Sequence, residues 1–218
     1  MSTYWIRMDK GLLEGTGLEA CEMVFPKGSN LIESGDPLEY VYIIDEGRVR
    51  LETLDDKGDF RILYIVCEGG MIGDEFSGRE RTDNFYVKAR TEVKVRAILI
   101  EDFQAALKEN IKLANYLIEL QYRKNRILVE ELYRLSFGDA LIRVSSALQM
   151  IMNDFGSSEQ GGIHLNMEFT HQDLADLIGL TRVSVSNVLK SLQNWGIIEK
   201  AGKGYRVARP ELLSDFTG

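Results

Sequence analysis

A change of period at Glu101 constrains this chain more than any other feature. From Glu101 to Phe137 there is neither proline nor glycine, whereas the stretch from Val24 to Ile100 is cut by Gly35, Gly47, Gly58 and Gly69, 11 or 12 residues apart. Between those glycines lie short β-branched and aromatic segments: Tyr40–Ile44, Arg48–Thr53, Arg61–Val66, Tyr86–Arg90 and Lys94–Ile100. That rhythm is the turn spacing of an antiparallel sandwich or barrel, and it predicts a β-roll of about eight strands. Asp45-Glu46-Gly47 and Asp55-Asp56-Lys57-Gly58-Asp59 are hairpin chemistry, because tight turns require the positive φ that glycine tolerates. Past Glu101 the apolar period becomes helical, which predicts a helix of roughly 25 to 30 residues, longer than one small roll can cover. Ala114, Ile118, Gln121, Asn125, Leu128, Leu132 and Leu135 alternate spacings of four and three, the seam of a coiled coil. The helix is expected to pair with its own copy.

Phe137-Gly138-Asp139 breaks the helix and forms a natural hinge. Beyond it, Ala140–Met152 reads as an amphipathic helix, and the segment from Gly156 to Gly162 as a loop or β-turn region. The densest signal follows. Thr170-His171-Gln172-Asp173 has the form of a capping box and starts a helix running to about Ile178. Gly179-Leu180-Thr181 supplies a turn, and Thr181 caps a second helix to about Asn194. Leu174, Ala175 and Ile178 of the first helix, with Val185, Val188 and Leu189 of the second, are placed as a helix-turn-helix requires. The second helix then presents Arg182, Val183, Ser184, Ser186, Asn187 and Lys190, groups suited to base edges and phosphates. Two short strands about the Gly202-Lys203-Gly204 turn form a wing, and Lys200, Lys203 and Arg206 there are expected to meet phosphates.

Charge and rare residues limit the alternatives. The 218 residues carry a net charge of −8, but Arg182–Arg209 holds six basic residues against one acid, Glu199, so a basic patch sits within an acidic protein. Two cysteines and two histidines leave no Cys₄ set and no CxxC…CxxC or HExxH pattern, and no metal is expected. Apolar runs such as Ile62–Cys67 are far short of the roughly 20 residues that cross a bilayer. The expectation is a cytoplasmic protein with no membrane partner, its Cys21 and Cys67 remaining thiols.

Taken together, the roll opening Phe25-Pro-Lys-Gly-Ser-Asn-Leu-Ile32, the strand pair Tyr42–Arg50, the cradle Met71-Ile-Gly-Asp-Glu-Phe76, the long helix and the run from Phe169 to Lys190 resemble the Crp/Fnr family of bacterial transcription regulators over about residues 20–210. The resemblance implies an α+β fold in three parts: a cyclic-nucleotide-binding-like sensing roll over residues 1–108, a dimerisation helix over 109–136, and a winged helix-turn-helix over 137–218. It further implies a homodimer that binds an inverted-repeat, double-stranded operator near promoters, with RNA polymerase as a partner. Thr170, His171, Thr181, Arg182, Val183, Ser184, Ser186, Asn187, Lys190 and Lys203 are the expected DNA-binding residues. Val183 favours a thymine methyl and Asn187 an adenine, so A·T-rich half-sites are expected.

The effector is expected between cradle and helix, among Ile72, Gly73, Asp74, Glu75, Gln121, Lys124, Asn125 and Leu128. Family members that bind cyclic AMP carry Gly-Glu, Arg-Ser and Thr-Ser where this chain has Gly73-Asp74, Asp83-Asn84 and Leu128-Val129, and Asp83 would repel a phosphate. Cyclic AMP is therefore disfavoured, although a shifted gap brings Arg79 or Arg81 into range. The oxygen-sensing branch needs four cysteines, and the carbon-monoxide-sensing haem branch needs a sensor histidine, whereas His164 and His171 lie outside the roll. Val183 and Asn187 resemble the halorespiration branch, whose effectors are chlorinated aromatic acids, and Lys124 could then meet an anion. Two further readings stay open: a constitutive DNA-binding dimer without an effector, and a haem, gas or redox sensor. An enzyme is not expected, since the roll holds no histidine and no nucleophile set, only Asp74 and Glu75 as acids.

Overall fold

The computed structural model describes residues 4–9, 19–54, 58, 60–74, 84–159, 161–167, 169–202 and 204–217. The chain divides into two compact units, Tyr4–Ile127 and Leu128–Gly218.

In the first unit, nine strands among the described residues form two sheets. One has the order β1 (Trp5–Ile6), β6 (Phe60–Val66), β5 (Val49–Leu54), β8 (Phe85–Ala89), β3 (Asn30–Ile32); the other runs β2 (Cys21–Phe25), β9 (Val93–Leu99), β4 (Tyr40–Glu46), β7 (Met71–Ile72). Strands β4, β5, β6, β8 and β9 match the five segments that the glycine spacing marks out, to within a residue or two. Val41, Ile43, Ile44, Val49, Val66, Val87, Val93 and Val95 of these strands are buried in the roll. β1 was not expected: it pairs parallel with β6, Trp5 opposite Ile65, and buries Tyr4 and Ile6. Two residues are too few for an alternating pattern to show.

The expected single long helix is two. α1 (Ile100–Glu109) ends at Asn110, which has extended backbone, and α2 (Ile111–Phe137) begins there, with Asn110 Oδ1 accepting hydrogen bonds from the amides of Lys112 and Leu113 at 3.0 and 3.2 Å. An asparagine that caps its own successors competes with helix continuation, so the break needs neither proline nor glycine. Leu113, Tyr116, Leu120, Lys124 and Ile127 form the buried stripe of α2. The Tyr116 hydroxyl donates to the carbonyl of Gly69, just before β7. On the rest of the helix Ile118, Val129, Leu132 and Tyr133 are each about two-thirds exposed, and Leu128 is 40% exposed.

The second unit is built on α3 (Ala140–Phe155), whose start is capped by Asp139 Oδ1 on the amide of Ile142 at 2.9 Å. Its middle, from Val144 to Met152, is buried against α4 (His171–Ile178), α5 (Arg182–Asn194) and α6 (Pro210–Ser214). The Arg143 guanidinium donates to three carbonyls, Leu135 at 3.1 Å, Gly138 at 3.0 Å and Gly179 at 3.3 Å. A four-stranded sheet, β10 (Gly156–Glu159), β11 (Gly162–Leu165), β13 (Gly204–Val207), β12 (Ile198–Ala201), completes the unit. The segment expected to be a loop or β-turn region is a hairpin feeding the wing sheet. Its glycines serve close approach: a Cβ on Gly162, at φ 142°, would lie 2.2 Å from the carbonyl oxygen of Val207. Among the described residues no helix is long and apolar enough to cross a membrane.

Candidate functional site

The reading head follows from local chemistry. Thr170 Oγ1 accepts from the amide of Asp173 at 3.0 Å, and the Asp173 carboxylate accepts from the amide of Thr170 at 2.9 Å, which fixes the start of α4. Gly179 ends it in the left-handed region, φ 66° and ψ 46°, where a Cβ would be strained. Thr181 Oγ1 then accepts from the amide of Ser184 at 3.1 Å and opens α5. Val185, Leu189 and Leu192 of α5 are buried with Leu174, Ala175 and Ile178 of α4, while Val188 is half-buried.

Of the expected DNA-binding residues, Arg182, Val183, Asn187 and Lys190 stand exposed on α5, Val183 at 68%. The Ser184 hydroxyl is instead spent on Thr181 at 2.9 Å. Ser186 and His171 bond each other at 2.7 Å, and His171 also bonds Tyr205 at 2.8 Å, a tyrosine that motif reading does not single out. Partial burial, then the charges of Lys200 and Arg182, hold the His171 ring below the ordinary histidine pKa. On the wing Lys200 is exposed and Arg206 pairs with Glu199, so only part of the basic cluster is unneutralised. Lys203 lies outside the described residues.

In the roll, three of the expected effector residues meet. Lys124 Nζ donates to both oxygens of Asp74, at 2.7 and 2.9 Å, and the Gln121 amide nitrogen donates to Asp74 Oδ2. The pair is sealed: the Asp74 side chain is 0% exposed and that of Lys124 3%. Lys124 also lies 5.8 Å from the centre of the Tyr64 ring, and Tyr64 was not foreseen. Ile72 and Gly73 are buried beside Asp74, whereas Asn125 and Leu128 are exposed. Glu75 lies outside the described residues, as do Arg79, Arg81 and Asp83. The Asp74 charge, with Lys124 and Gln121 on its oxygens, is compensated within the protein.

Comparison with known proteins agrees with both halves. Residues 22–110 match the cyclic nucleotide-binding domain family, and residues 142–216 the Crp-like helix-turn-helix domain family. The global nitrogen regulator of Synechococcus elongatus is 33% identical over 195 residues, spanning 87% of this chain and 86% of that protein. The CRP-like cAMP-activated global transcriptional regulator of Mycobacterium tuberculosis is 26% identical over 194 residues, 87% of this chain and 85% of the other. Among solved structures, a CooA mutant from Carboxydothermus hydrogenoformans superposes with a TM-score of 0.79 at 20% identity, over 91% of this chain and 88% of that one. The two sequence relatives are named as regulators rather than enzymes. With a sensing roll, a long helix and a winged helix-turn-helix in that order, and a relative of one-third identity along nearly its whole length, the chain belongs to the Crp/Fnr family of DNA-binding transcription regulators.

Proposed function

We propose that this regulator binds an inverted-repeat operator as a homodimer and that a small effector, received between the cradle and α2, changes its DNA affinity. The exposed apolar stripe of α2 supports the dimer: Ile118, Leu128 and Leu132 lie on the coiled-coil seam and are 67%, 40% and 66% exposed. Two recognition helices related by a two-fold axis then face half-sites roughly 10 to 11 base pairs apart. The three-part division of the chain, 1–108, 109–136 and 137–218, follows these roles, and a promoter-bound dimer in the cytoplasm meets RNA polymerase.

The effector reading rests on Asp74, Gln121 and Lys124. An acidic effector would take Lys124 from Asp74, so Lys124→Met should weaken it more than tenfold while leaving effector-free DNA binding intact. The wild-type protein is the one to screen by thermal shift against cyclic nucleotides, haem and aromatic acids, because a ligand at 100 times its dissociation constant adds about 2.7 kcal/mol. The same ion pair supports a second reading, a constitutive dimer, since the protein's own charges already join cradle and helix. Unchanged DNA affinity across the whole panel would favour it.

Selection from random DNA tests the operator. Half-sites rich in A·T are expected from Val183 and Asn187. Val183→Glu with Asn187→Arg should move the selected bases towards G·C, with about 1–3 kcal/mol at stake per base pair. A G·C-rich wild-type half-site, or one unmoved by the double change, would remove these side chains from base reading.

A further inference from the structure

His171, one of the expected DNA-binding residues, stands at the first position of α4. Its ring nitrogens are turned inward. Nδ1 lies 2.7 Å from the hydroxyl of Ser186 on α5, and Nε2 lies 2.8 Å from the hydroxyl of Tyr205 on β13. The ring stacks on Tyr205, with centroids 6.3 Å apart and planes at 27°, and Phe169 stacks on Tyr205 as well, at 6.0 Å and 18°. Tyr205 itself is 5% exposed and sits opposite Lys200 in the wing ladder. One imidazole therefore joins the first helix, the recognition helix and the wing.

This bridge supplies something the core does not. The contacts beneath α5, made by Leu174, Ile178, Val185 and Leu189, are apolar and non-directional, so they resist separation of the helices better than rotation of α5 about its axis. With side-chain tips at about 5–6 Å from the axis, a 20° rotation moves them by about 2 Å, enough to break a bidentate base contact. Ser186 adjoins Asn187 in sequence, so a directional bond at Ser186 fixes the angle at which Asn187 is presented. A bond from the same ring to Tyr205 fixes that angle relative to the strand pair that carries Lys200.

We propose that His171 is a positioning residue, which registers the recognition helix against the wing so that base-reading and phosphate-contacting side chains meet one duplex together, and that it is not itself a phosphate contact. This rests on the DNA-binding reading above.

The test compares two duplexes, one obtained by random-sequence selection with the wild-type protein and one scrambled. Affinity for both is measured across a salt series for wild type, His171→Ala, Ser186→Ala, Tyr205→Phe and the doubles His171→Ala/Ser186→Ala and His171→Ala/Tyr205→Phe. Positioning predicts that His171→Ala loses at least tenfold on the selected duplex and under twofold on the scrambled one, with an unchanged salt slope. Each double should then be no worse than His171→Ala alone, because the groups act as one unit.

Equal losses on both duplexes with the slope reduced by about one unit would make His171 a phosphate contact and overturn the proposal. So would an unchanged ratio, or additive doubles. If His171→Ala fails to fold, Tyr205→Phe and Ser186→Ala decide alone, since each removes one bond and leaves the ring in place. A second readout is spectroscopic. The chain has two histidines, His164 and His171, so one variant assigns both ring resonances. With Lys200 on β12 and Arg182 on α5 facing it, and the neutral hydroxyls of Ser186 and Tyr205 on its nitrogens, His171 should titrate below the ordinary histidine range and move when Tyr205 becomes Phe; a ring indifferent to Tyr205→Phe would overturn the bridge. Should selection enrich no sequence at all, the DNA-binding reading fails and this inference falls with it.

Discussion

Replacing Lys124 by Met removes one partner of a sealed ion pair and takes the Lys124 ammonium away from the buried Asp74 carboxylate, whose Oδ2 also accepts from the Gln121 amide. Both charges are nearly fully withdrawn from water, at 3% and 0% exposure, so solvent screening does little to soften the loss. Breaking such a pair from one side costs about 3–5 kcal/mol. For a unit the size of Tyr4–Ile127, 1 kcal/mol moves the midpoint by about 3–5 °C, so the roll should melt at least about 10 °C lower. Replacing both partners with apolar side chains, Asp74→Leu with Lys124→Met, removes the stranded charge and should recover most of the loss. Urea and thermal unfolding of wild type, both singles and the double close the cycle. A Lys124→Met loss below about 1 kcal/mol, or a double as unstable as the sum of the singles, would refute the claim that these charges depend on each other.

Other expectations are as direct. Thr170→Ala deletes the side-chain half of the capping box at α4, the Oγ1 that accepts from the Asp173 amide, and leaves the backbone amide of residue 170 on the Asp173 carboxylate; it should cost about 1 kcal/mol in urea unfolding of the DNA-binding unit, and no change would mean that water replaces the cap. His171 is held below its unfolded pKa of about 6.5, so it contributes stability fully present above that pH and lost as pH falls towards its folded value; His171→Gln should flatten the slope below pH 6.5, as read by midpoints from pH 5 to 8. Leu128→Lys with Leu132→Lys puts charge into the proposed dimer seam at several kcal/mol each, and sedimentation should show a monomer. A persistent dimer would move the interface elsewhere.

The reading head was legible because its determinants are local. Thr170, Asp173, Gly179 and Thr181 fall within a dozen residues, and each acts on backbone a turn or less away. The strands of the roll were legible for the same reason, through the spacing of their turns. What joins distant segments was not. Asp74 and Lys124 could be named as site candidates one by one, but nothing in a sequence says that residues 50 apart will neutralise each other. His171, Ser186 and Tyr205 read as separate polar groups, two of them as DNA contacts, until the fold spends their atoms on one another. Asn110 is a different case: its capping chemistry was present in the sequence, and the helical period on either side concealed it.

The three carbonyls gathered by Arg143 give the joint after α2 a mechanical character. A plain Gly-Asp linker would let the reading head drift through a continuum of angles at the end of the long helix. One planar cation that grips the helix end, the linker and the turn of the helix-turn-helix gives a click-stop instead. Leaving the Gly179 carbonyl forfeits a charge-assisted bond worth about 1.5–3 kcal/mol, which keeps the released form to roughly a tenth of molecules or fewer. Any rearrangement that parts this turn from the helix end must first break that bond.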